Sequence, residues 1–508
     1  MSPPERDEEK ALLSEPYYDD DQQLKASDEP PRYATEVQDD NVDPSAERKA
    51  RKKRCFRKLG RHLAIFAVLY FGWQMFFRRQ PSLGHAGCGW EITPGSKSQV
   101  DDVFRLDERP KPSPDEFPWP PQLTVEECVK WSEHDPHDDA EHGHRGWNGR
   151  HGHEHGHDHP RHEHSLDSSF SLPASSDALG LFARGPWSVG HLNVEQGSEE
   201  TDQVLINVTT KWHGPERLLN LVQLCKFKGG DKELGVGIVS KKGHRHPHGR
   251  HHHHIRFDVN VILPRSSDKR LELNKFVTWM PVFSQSFGRL DKGVHFDTIG
   301  VFGSVSSIQV ESLSARNATV AAAVGSIKGN FSTSEYLKLA TASGEIDVNV
   351  GLHNDDKSEK WTHLDLRTAV SAIKANVSMF TDSSDSGGKF NITSGFKSGS
   401  VNLNTFIGPP KSTVNLAVAG GVGAIDVAMH KLFEGKFNAV TSPFSSPTIV
   451  KPKEEEEDGK ERKIDFEKVG KGAATGSVWW EAGDGDDSGR ERGTVELVNS
   501  FGAVTLKL

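Results

Sequence analysis

The sequence predicts an all-β fold, either a repeat-built β-solenoid or an elongated β-sandwich, preceded by one transmembrane helix and by disordered segments. Three observations predict it. A strand-like phrase recurs through residues 185–508, an apolar run at 63–77 has basic residues on both sides, and most of the remaining chain is polar. Only 34% of the 508 residues are hydrophobic and the mean hydropathy is −0.60, so a large part of the chain is expected not to fold.

Residues 1–58 are predicted to form a disordered cytoplasmic tail. Residues 1–46 contain 14 acidic and four basic side chains, several prolines and few aromatic residues. A phrase in this tail resembles the acidic dileucine signal that vesicle-coat adaptors read, through Glu8, Leu12 and Leu13. Cys55, in the basic stretch before the apolar run, suits S-palmitoylation, with a free cytosolic thiol as the alternative.

Residues 59–79 are predicted to be a transmembrane signal anchor. The apolar run LAIFAVLYFGWQMFF at 63–77 makes roughly 22 Å of helix, against a hydrocarbon core of about 30 Å. The helix can begin at Leu59 if Arg61 extends its charge toward the headgroups. Nine Lys and Arg residues lie within 48–61 and only two directly follow the run, which predicts a cytoplasmic N-terminus.

Glycosylation sequons give a second indication of the orientation. Five Asn-x-Ser/Thr sequences follow the apolar run, and residues 1–62 contain none. This distribution agrees with a type II topology, in which the C-terminal part is lumenal or extracellular. The predicted acceptors are Asn207, Asn317, Asn330, Asn376 and Asn391.

Residues 80–184 are predicted to be a disordered lumenal or extracellular linker, first Pro-rich and then His-rich. Cys88 and Cys128 bracket the Pro-rich stretch and are the expected disulfide pair, while Cys225 in LVQLCKF is expected to be a buried strand thiol. Because three cysteines follow the anchor, one is left over from the predicted pair.

Two His-rich tracts hold 18 of the 26 histidines, at 134–164 and 243–254. Their spacing varies and glycines keep the chain loose, unlike the fixed ligand spacing of a closed zinc site. Two interpretations stay open: a polar spacer with incidental zinc or copper affinity, and a selected metal or pH role. No resident cofactor is expected. The candidate weak metal ligands are His151, His153, His155, His157, His159, His251, His252, His253 and His254.

Residues 185–508 are predicted to form a β-strand repeat domain with loop insertions at 241–254 and 451–463. The recurring phrase is a turn residue, usually Gly, then a small or polar residue, then Ile or Val followed by alternating apolar positions. A two-strand unit cannot bury its own apolar face, so successive units are expected to stack. The turn residues of the copies are Gly325, Gly344, Ser371, Gly399, Gly423, Gly476 and Gly502.

Period-2 alternation assigns an inner and an outer side to each predicted strand. Lys338, Asp347 and Asn349 are expected to face solvent. The residues expected in the core are Leu337, Leu339, Ile346, Val348, Val350, Ile373, Val401, Leu403, Ile425 and Val427.

The phrases LKLATASGEIDVNV (337–350) and VELVNSFGAVTLKL (495–508) resemble the "putative adhesin" β-repeat domains of unknown function. The resemblance covers roughly residues 185–508 and concerns a folding pattern. It implies a β-strand repeat fold with no known catalytic residues, so no site residue is carried over from it.

Three function classes follow from these observations. The first is a non-catalytic membrane protein that presents an adhesin-like domain to cell-surface glycans or proteins. The second is a metal- or pH-responsive trafficking protein, and the third is a β-helix enzyme acting on polysaccharides. The third needs a carboxylate pair, but the residue after each turn's Ile or Val varies freely among polar types. A net charge of −10 gives no indication of nucleic-acid binding.

Overall fold

The computed structural model describes residues 123–131 and 163–508, apart from 231, 242–253, 267–268, 356–358, 383–386, 452–455, 458–459 and 482–487. All of them belong to one compact unit, Pro94–Leu508. The predicted tail and anchor lie outside the described residues. Within the described part, none of the helices has the length and apolar content needed to cross a bilayer.

The described part is almost entirely β-structure, which confirms the all-β prediction. Two short 3-10 helices, Glu216–Leu221 and Ser488–Glu491, accompany the strands. The strands are β1 Thr124–Cys128, β2 His164–Pro173, β3 Ala178–Arg184, β4 Gly190–Glu200, β5 Gln203–His213, β6 Val222–Lys228, β7 Glu233–Ser240, β8 His254–Arg265, β9 Leu271–Trp279, β10 Phe283–Arg289, β11 Val294–Val305, β12 Ile308–Val324, β13 Ile327–Ser343, β14 Ile346–Asn354, β15 Thr362–Thr381, β16 Lys389–Ile407, β17 Thr413–Ala428, β18 Gly435–Val440, β19 Thr448–Val450, β20 Glu456–Glu457, β21 Lys460–Gly470, β22 Ala473–Glu481, β23 Gly493–Phe501 and β24 Val504–Lys507.

The central strands form a stack of parallel coils with two faces. The second half of β13 pairs with the first half of β15, on the side we call face A. The first half of β13 pairs with β14, and β14 pairs with the second half of β15, on the side we call face B. The same pattern continues through β16 and β17. Each repeat therefore lies directly on the previous one, which is the pairing expected of a solenoid.

The core lies between the two faces and consists of in-register apolar columns. On face B, one column begins two residues after each corner: Ile327, Ile346, Ile373, Val401, Ile425 and Val504. On face A, the matching column is Leu337, Leu364, Ile392, Leu416, Val495 and Phe437. Every one of these side chains is at most 2% exposed, and they form one cluster. The predicted core residues are all buried, so the predicted register is confirmed.

Most corners between face A and face B are occupied by glycine. Gly325, Gly344, Gly399, Gly423 and Gly502 have φ between +133° and +159°. A Cβ on any of the last four would overlap the carbonyl oxygen of the corner residue one coil earlier. Ser371 occupies the equivalent corner with a φ of 151°, so one coil carries a strained non-glycine residue.

Both ends of the stack have an unexpected strand order. The first coil, β3 and β4, lies between the later β7–β8 coil and the β9–β10 coil. The last coil, β23 and β24, lies between β17 and the earlier β18–β19 coil. Each terminal coil is therefore held on two sides, and antiparallel strands pair with the outer coils.

Three sequence predictions about the boundaries are corrected. Strands β1, β2 and β3 fall within residues 80–184, which were assigned to a disordered linker, because these strands pair with partners far along the chain. Gly476 is not a corner residue, since it lies inside β22, between antiparallel β18 and β21. Part of the predicted 451–463 insertion is paired, as β20 lies against the start of β21.

The corner geometry predicts a sharp difference between two glycines of β16. Gly399→Ala should lower the free energy of unfolding by at least about 2 kcal/mol, because it forces a Cβ into the carbonyl of Ser371. Gly395→Ala should change it by no more than about 0.5 kcal/mol, since its Cβ would meet only Ala419 O at 3.6 Å. Chemical denaturation of both variants measures this, and equal effects would contradict the corner assignment.

Candidate ligand-binding groove

An asparagine ladder runs along the outer side of face B. Four successive corner residues are each followed five positions later by an asparagine: Asn330, Asn349, Asn376 and Asn404. Because the coils stack in register, these four side chains lie side by side on neighbouring strands. Asn330 and Asn349 are exposed, and the other two are half-buried.

The ladder amides bond to one another. Asn349 Nδ2 donates to Asn330 Oδ1 at 2.8 Å, Asn376 Nδ2 to Asn349 Oδ1 at 2.9 Å, and Asn404 Nδ2 to Asn376 Oδ1 at 3.3 Å. Asn330 Nδ2 donates to the Glu311 carbonyl at 2.6 Å. A carboxamide has two N–H groups and two acceptor lone pairs, and the ladder uses one of each on Asn349 and Asn376. Each of these amides can therefore donate to and accept from a ligand.

A groove of about 710 Å³ follows the ladder. Its floor next to the ladder is a column of small residues, Ser332, Gly351 and Ser378, which occupy matching positions on adjacent strands. The groove crosses from β12 to β16, four strand spacings or roughly 19 Å. It is therefore long, shallow and open along the stacking direction.

Two exposed aromatic residues line the groove: Phe380 lies beyond Ser378 on β15, and Phe406 lies on β16 at the bulge opposite Val377 and Ser378. Phe380 is 39% exposed and Phe406 is 63% exposed. The His353 ring stacks on Phe380, with ring centroids 5.1 Å apart and an interplanar angle of 23°. Burial lowers the pKa of His353, so the imidazole stacked on Phe380 is neutral at pH 7.

The groove carries little charge. Among its described lining residues, Asp291 is the one charged side chain, and its Oδ1 accepts a 2.6 Å hydrogen bond from Ser312. The neighbouring column of face B is charged but paired. Glu345 lies 3.4 Å from Lys328 and 2.8 Å from Lys374, and the hydrogen bond from Lys374 lowers the pKa of the Glu345 carboxyl.

The residues that follow the Ile or Val of each turn, which were considered above as a possible carboxylate pair, lie in that charged column. Lys328, Asp347, Lys374, Asn402, Asp426 and Thr505 are in register along face B. Asp426 pairs with Lys507 at 3.0 Å, and Asp347 has cationic neighbours in its column. Trp479, which follows Val478 of the predicted Gly476 turn, is instead buried in β22, where the Arg490 guanidinium lies 3.7 Å from its ring centroid. The column thus mixes cationic, anionic and neutral polar side chains, as a solvated face does.

All five sequon asparagines lie in strands and point away from the core. Asn317 donates to Glu335 at 3.3 Å, Asn391 bonds to His363 at 3.1 Å, and Asn207 accepts from Ser169 at 2.8 Å. Asn330 and Asn376 are the two that the structure brings together, as alternate rungs of the ladder.

The predicted disulfide is wrong in one partner. Cys128 is bonded to Cys225, since β1 pairs antiparallel with β6 and places the two residues directly opposite each other. Cys225 is buried in a strand as expected but is not a thiol. Cys88, Cys55 and the Glu8, Leu12 and Leu13 signal lie outside the described residues.

Of the predicted metal ligands, only His254 is described. It is the exposed first residue of β8, and its ring centroid lies 4.3 Å from that of His213 on β5. Glu163 Oε1 lies 3.8 Å from His213 Nε2, and His164 stacks on Trp212. The last residues of the two His-rich tracts, His164 and His254, are therefore the first residues of β2 and β8, and both strands pair with β5. The described residues contain no group of three side chains able to hold a metal ion.

Sequence reasoning missed the ladder and the groove. Asn349 was expected to face solvent. The recurrence of an asparagine five residues after each of four consecutive corner residues was not recognised as a column. That constant offset was the available signal. The aromatic residues had no comparable signal, because Phe380 and Phe406 stand at the ends of strands whose length only the structure gives.

Comparison with known proteins gives only distant structural matches. No protein-family model and no curated protein matches the chain. A solved structure from Clostridium sporogenes, described as a "putative cell adhesion protein", matches at 12% identity over 68% of this chain and 99% of that chain, with a TM-score of 0.16. A "putative adhesin" from Bacteroides fragilis matches at 11% identity over 68% and 96%, with a TM-score of 0.26.

A further "putative adhesin", from Parabacteroides merdae, matches at 15% identity over 52% of this chain and 95% of that chain, with a TM-score of 0.22. At such TM-scores the likeness carries no further argument, and the proposals below depend on the chain's own residues.

Outside the groove, His430 is the most strongly perturbed imidazole. It is 3% exposed, packs edge-on to Phe433, and neither ring nitrogen has a hydrogen-bond partner among the described residues. Burial lowers its pKa to about 4. Between pH 6.5 and 4 the unfolded chain therefore binds a proton that the folded chain does not, so stability falls as the pH falls through this window.

This linkage predicts a pH-dependent effect of one substitution. Between pH 7 and 5 the wild-type chain should lose about 2 kcal/mol more unfolding free energy than His430→Leu, which cannot titrate. Denaturant unfolding at both pH values measures the difference, and the same substitution at exposed His254 is the control. If the wild type and His430→Leu lose the same unfolding free energy between pH 7 and pH 5, the buried, neutral state of His430 is contradicted.

Proposed function

We propose that this chain is a non-catalytic, single-pass type II membrane protein of the secretory pathway or cell surface. It presents a glycosylated, adhesin-like β-repeat domain on the lumenal or extracellular side, where the domain binds cell-surface glycans or proteins. The observation that carries the proposal is face B: its outer side bears polar columns and a groove whose described lining has exposed aromatic residues and a single charged side chain, Asp291.

The disulfide supports the proposed compartment. Cys128 and Cys225 join two strands of the folded domain, and disulfides persist in the secretory pathway and outside the cell rather than in the cytosol. Both cysteines follow the predicted anchor at 59–79, as do the five outward-facing sequons. The charge asymmetry around the anchor leads independently to the same orientation.

The polar columns support binding rather than catalysis. A hydrolytic carboxylate pair needs one carboxyl with a raised pKa, held at a fixed distance from its partner. On face B, Glu345 has a lowered pKa between two lysines, and Asp426 is paired with Lys507. Regularly stacked strands whose outward side chains line up in columns suit a display surface.

The topology predicts protection of the domain in sealed microsomes. Added protease should remove only residues 1–58, and a glycosidase should then shift the protected fragment to a lower mass. Digestion of residues 80–508 in intact vesicles would overturn the orientation.

The adhesive role predicts that the chain retains vesicles on cells. Fluorescent proteoliposomes that carry the full chain should bind cultured cells above the level of protein-free liposomes. Gly399→Ala is the matched control, because it keeps the outer side chains and disturbs the corner that stacks the coils. Equal retention of wild-type and protein-free vesicles would contradict the adhesive role.

A second candidate function is a metal- or pH-responsive trafficking protein. The observation that favours it is that the last residues of the two His-rich tracts, His164 and His254, begin the two strands that pair with β5, where His254 lies beside His213. This candidate predicts that Zn²⁺ raises the melting temperature of the full chain at pH 7 and not at pH 5.5, where imidazoles protonate. An unchanged melting temperature at pH 7 would exclude it.

A further inference from the structure

We propose that the groove beside the asparagine ladder is a binding site for a neutral oligosaccharide, bound along the stacking direction across β12 to β16. This inference deepens the proposed adhesive function by naming the site and the ligand class.

The lining of the groove matches the two kinds of surface on a sugar ring. The ladder side offers amides from Asn330, Asn349 and Asn376 at one strand spacing, about 4.8 Å apart. Each amide can donate and accept, as each sugar hydroxyl can. Beside the small-residue column, Phe380 on β15 and Phe406 on β16 offer exposed rings that can cover the apolar C–H face of a sugar.

The small-residue floor gives the ligand room. Ser332, Gly351 and Ser378 have short or no side chains, so a chain of rings can lie over them, next to the asparagines and in reach of the phenylalanines. The Ser332 and Ser378 hydroxyls add hydrogen-bonding groups at the floor. A few convergent polar groups beside exposed apolar surface are typical of small-molecule sites.

The position and charge of the groove disfavour other ligands. It lies on the face of a sheet whose backbone groups already bond to neighbouring strands, so a peptide cannot join it as an added strand. Its lining has one charged described side chain, Asp291, and no cation to pair with an acidic sugar or a phosphate. A neutral, polyhydroxylated chain remains as the ligand that the lining fits.

The site can be tested by calorimetry on the full chain, produced without N-glycosylation and held in a detergent with no sugar headgroup. Three neutral probes are titrated: β-1,4-glucohexaose, β-1,4-mannohexaose and β-1,3-glucohexaose. At least one should bind, and Phe406→Ala and Asn349→Ala should each weaken that binding at least tenfold. Asn349 begins no sequon, so its substitution leaves the glycosylation sites intact.

Phe501→Ala is the matched control. Phe501 is 64% exposed, close to the 63% of Phe406, but lies on β23 outside the groove. This variant should bind within twofold of the wild type, and melting temperatures should show that all three variants fold. Tetragalacturonate, an acidic probe, should bind no more tightly than the neutral ones.

The inference is overturned if no neutral probe binds, or if Phe406→Ala and Asn349→Ala bind as the wild type does. It is also overturned if Phe501→Ala weakens binding equally. Failure of the site is distinguishable from failure of the adhesive role: vesicles carrying Phe406→Ala would then still adhere to cells. Oligosaccharide binding by a chain whose vesicles do not adhere to cells would support the site and contradict the adhesive role.

Discussion

The in-register parallel stacking of one coil on the next is the constraint on which the remaining structure depends. At each corner the backbone of Gly399, Gly423 or Gly502 passes so close to the preceding corner's carbonyl that a Cβ has no room. This contact fixes the register, and the register brings each residue beside its counterparts in the coils before and after. Equivalent positions therefore become columns: apolar ones fill the core, and asparagines form a ladder on the surface.

The ends of the stack address a problem that every open sheet has, namely strand edges that invite pairing with other chains. The β3–β4 and β23–β24 coils are each enclosed between two other coils, so neither can separate without losing pairing on both sides. Antiparallel strands such as β6 and β22 continue the sheet beyond the outer coils, and β1 and β21 pair with them in turn. Because they pair antiparallel, these strands do not follow the corner register of the parallel coils.

The repeat core was predictable from sequence because its signal is local. Alternation and the corner glycine determine which side of Ile346 or Val401 faces inward, and both are buried as predicted. The disulfide and the end coils were not predictable in this way. Cys128 meets Cys225 across 97 residues only because β1 pairs with β6, and nothing in the phrase around β23 indicates that it enters between β17 and β18. Strand order at the ends is set by long-range pairing, which has no local signature.

The ladder also couples glycosylation to the groove. Asn330 and Asn376 begin sequons, whereas Asn349 and Asn404 do not, so alternate rungs about 10 Å apart are potential acceptors. A sugar attached to Nδ2 leaves one N–H, which is all that Asn376 needs to donate to Asn349. Modification would then preserve the stacking of the coils while placing a glycan in the groove itself. On this surface the same in-register column that builds the proposed binding site also determines where an N-linked sugar would cover it.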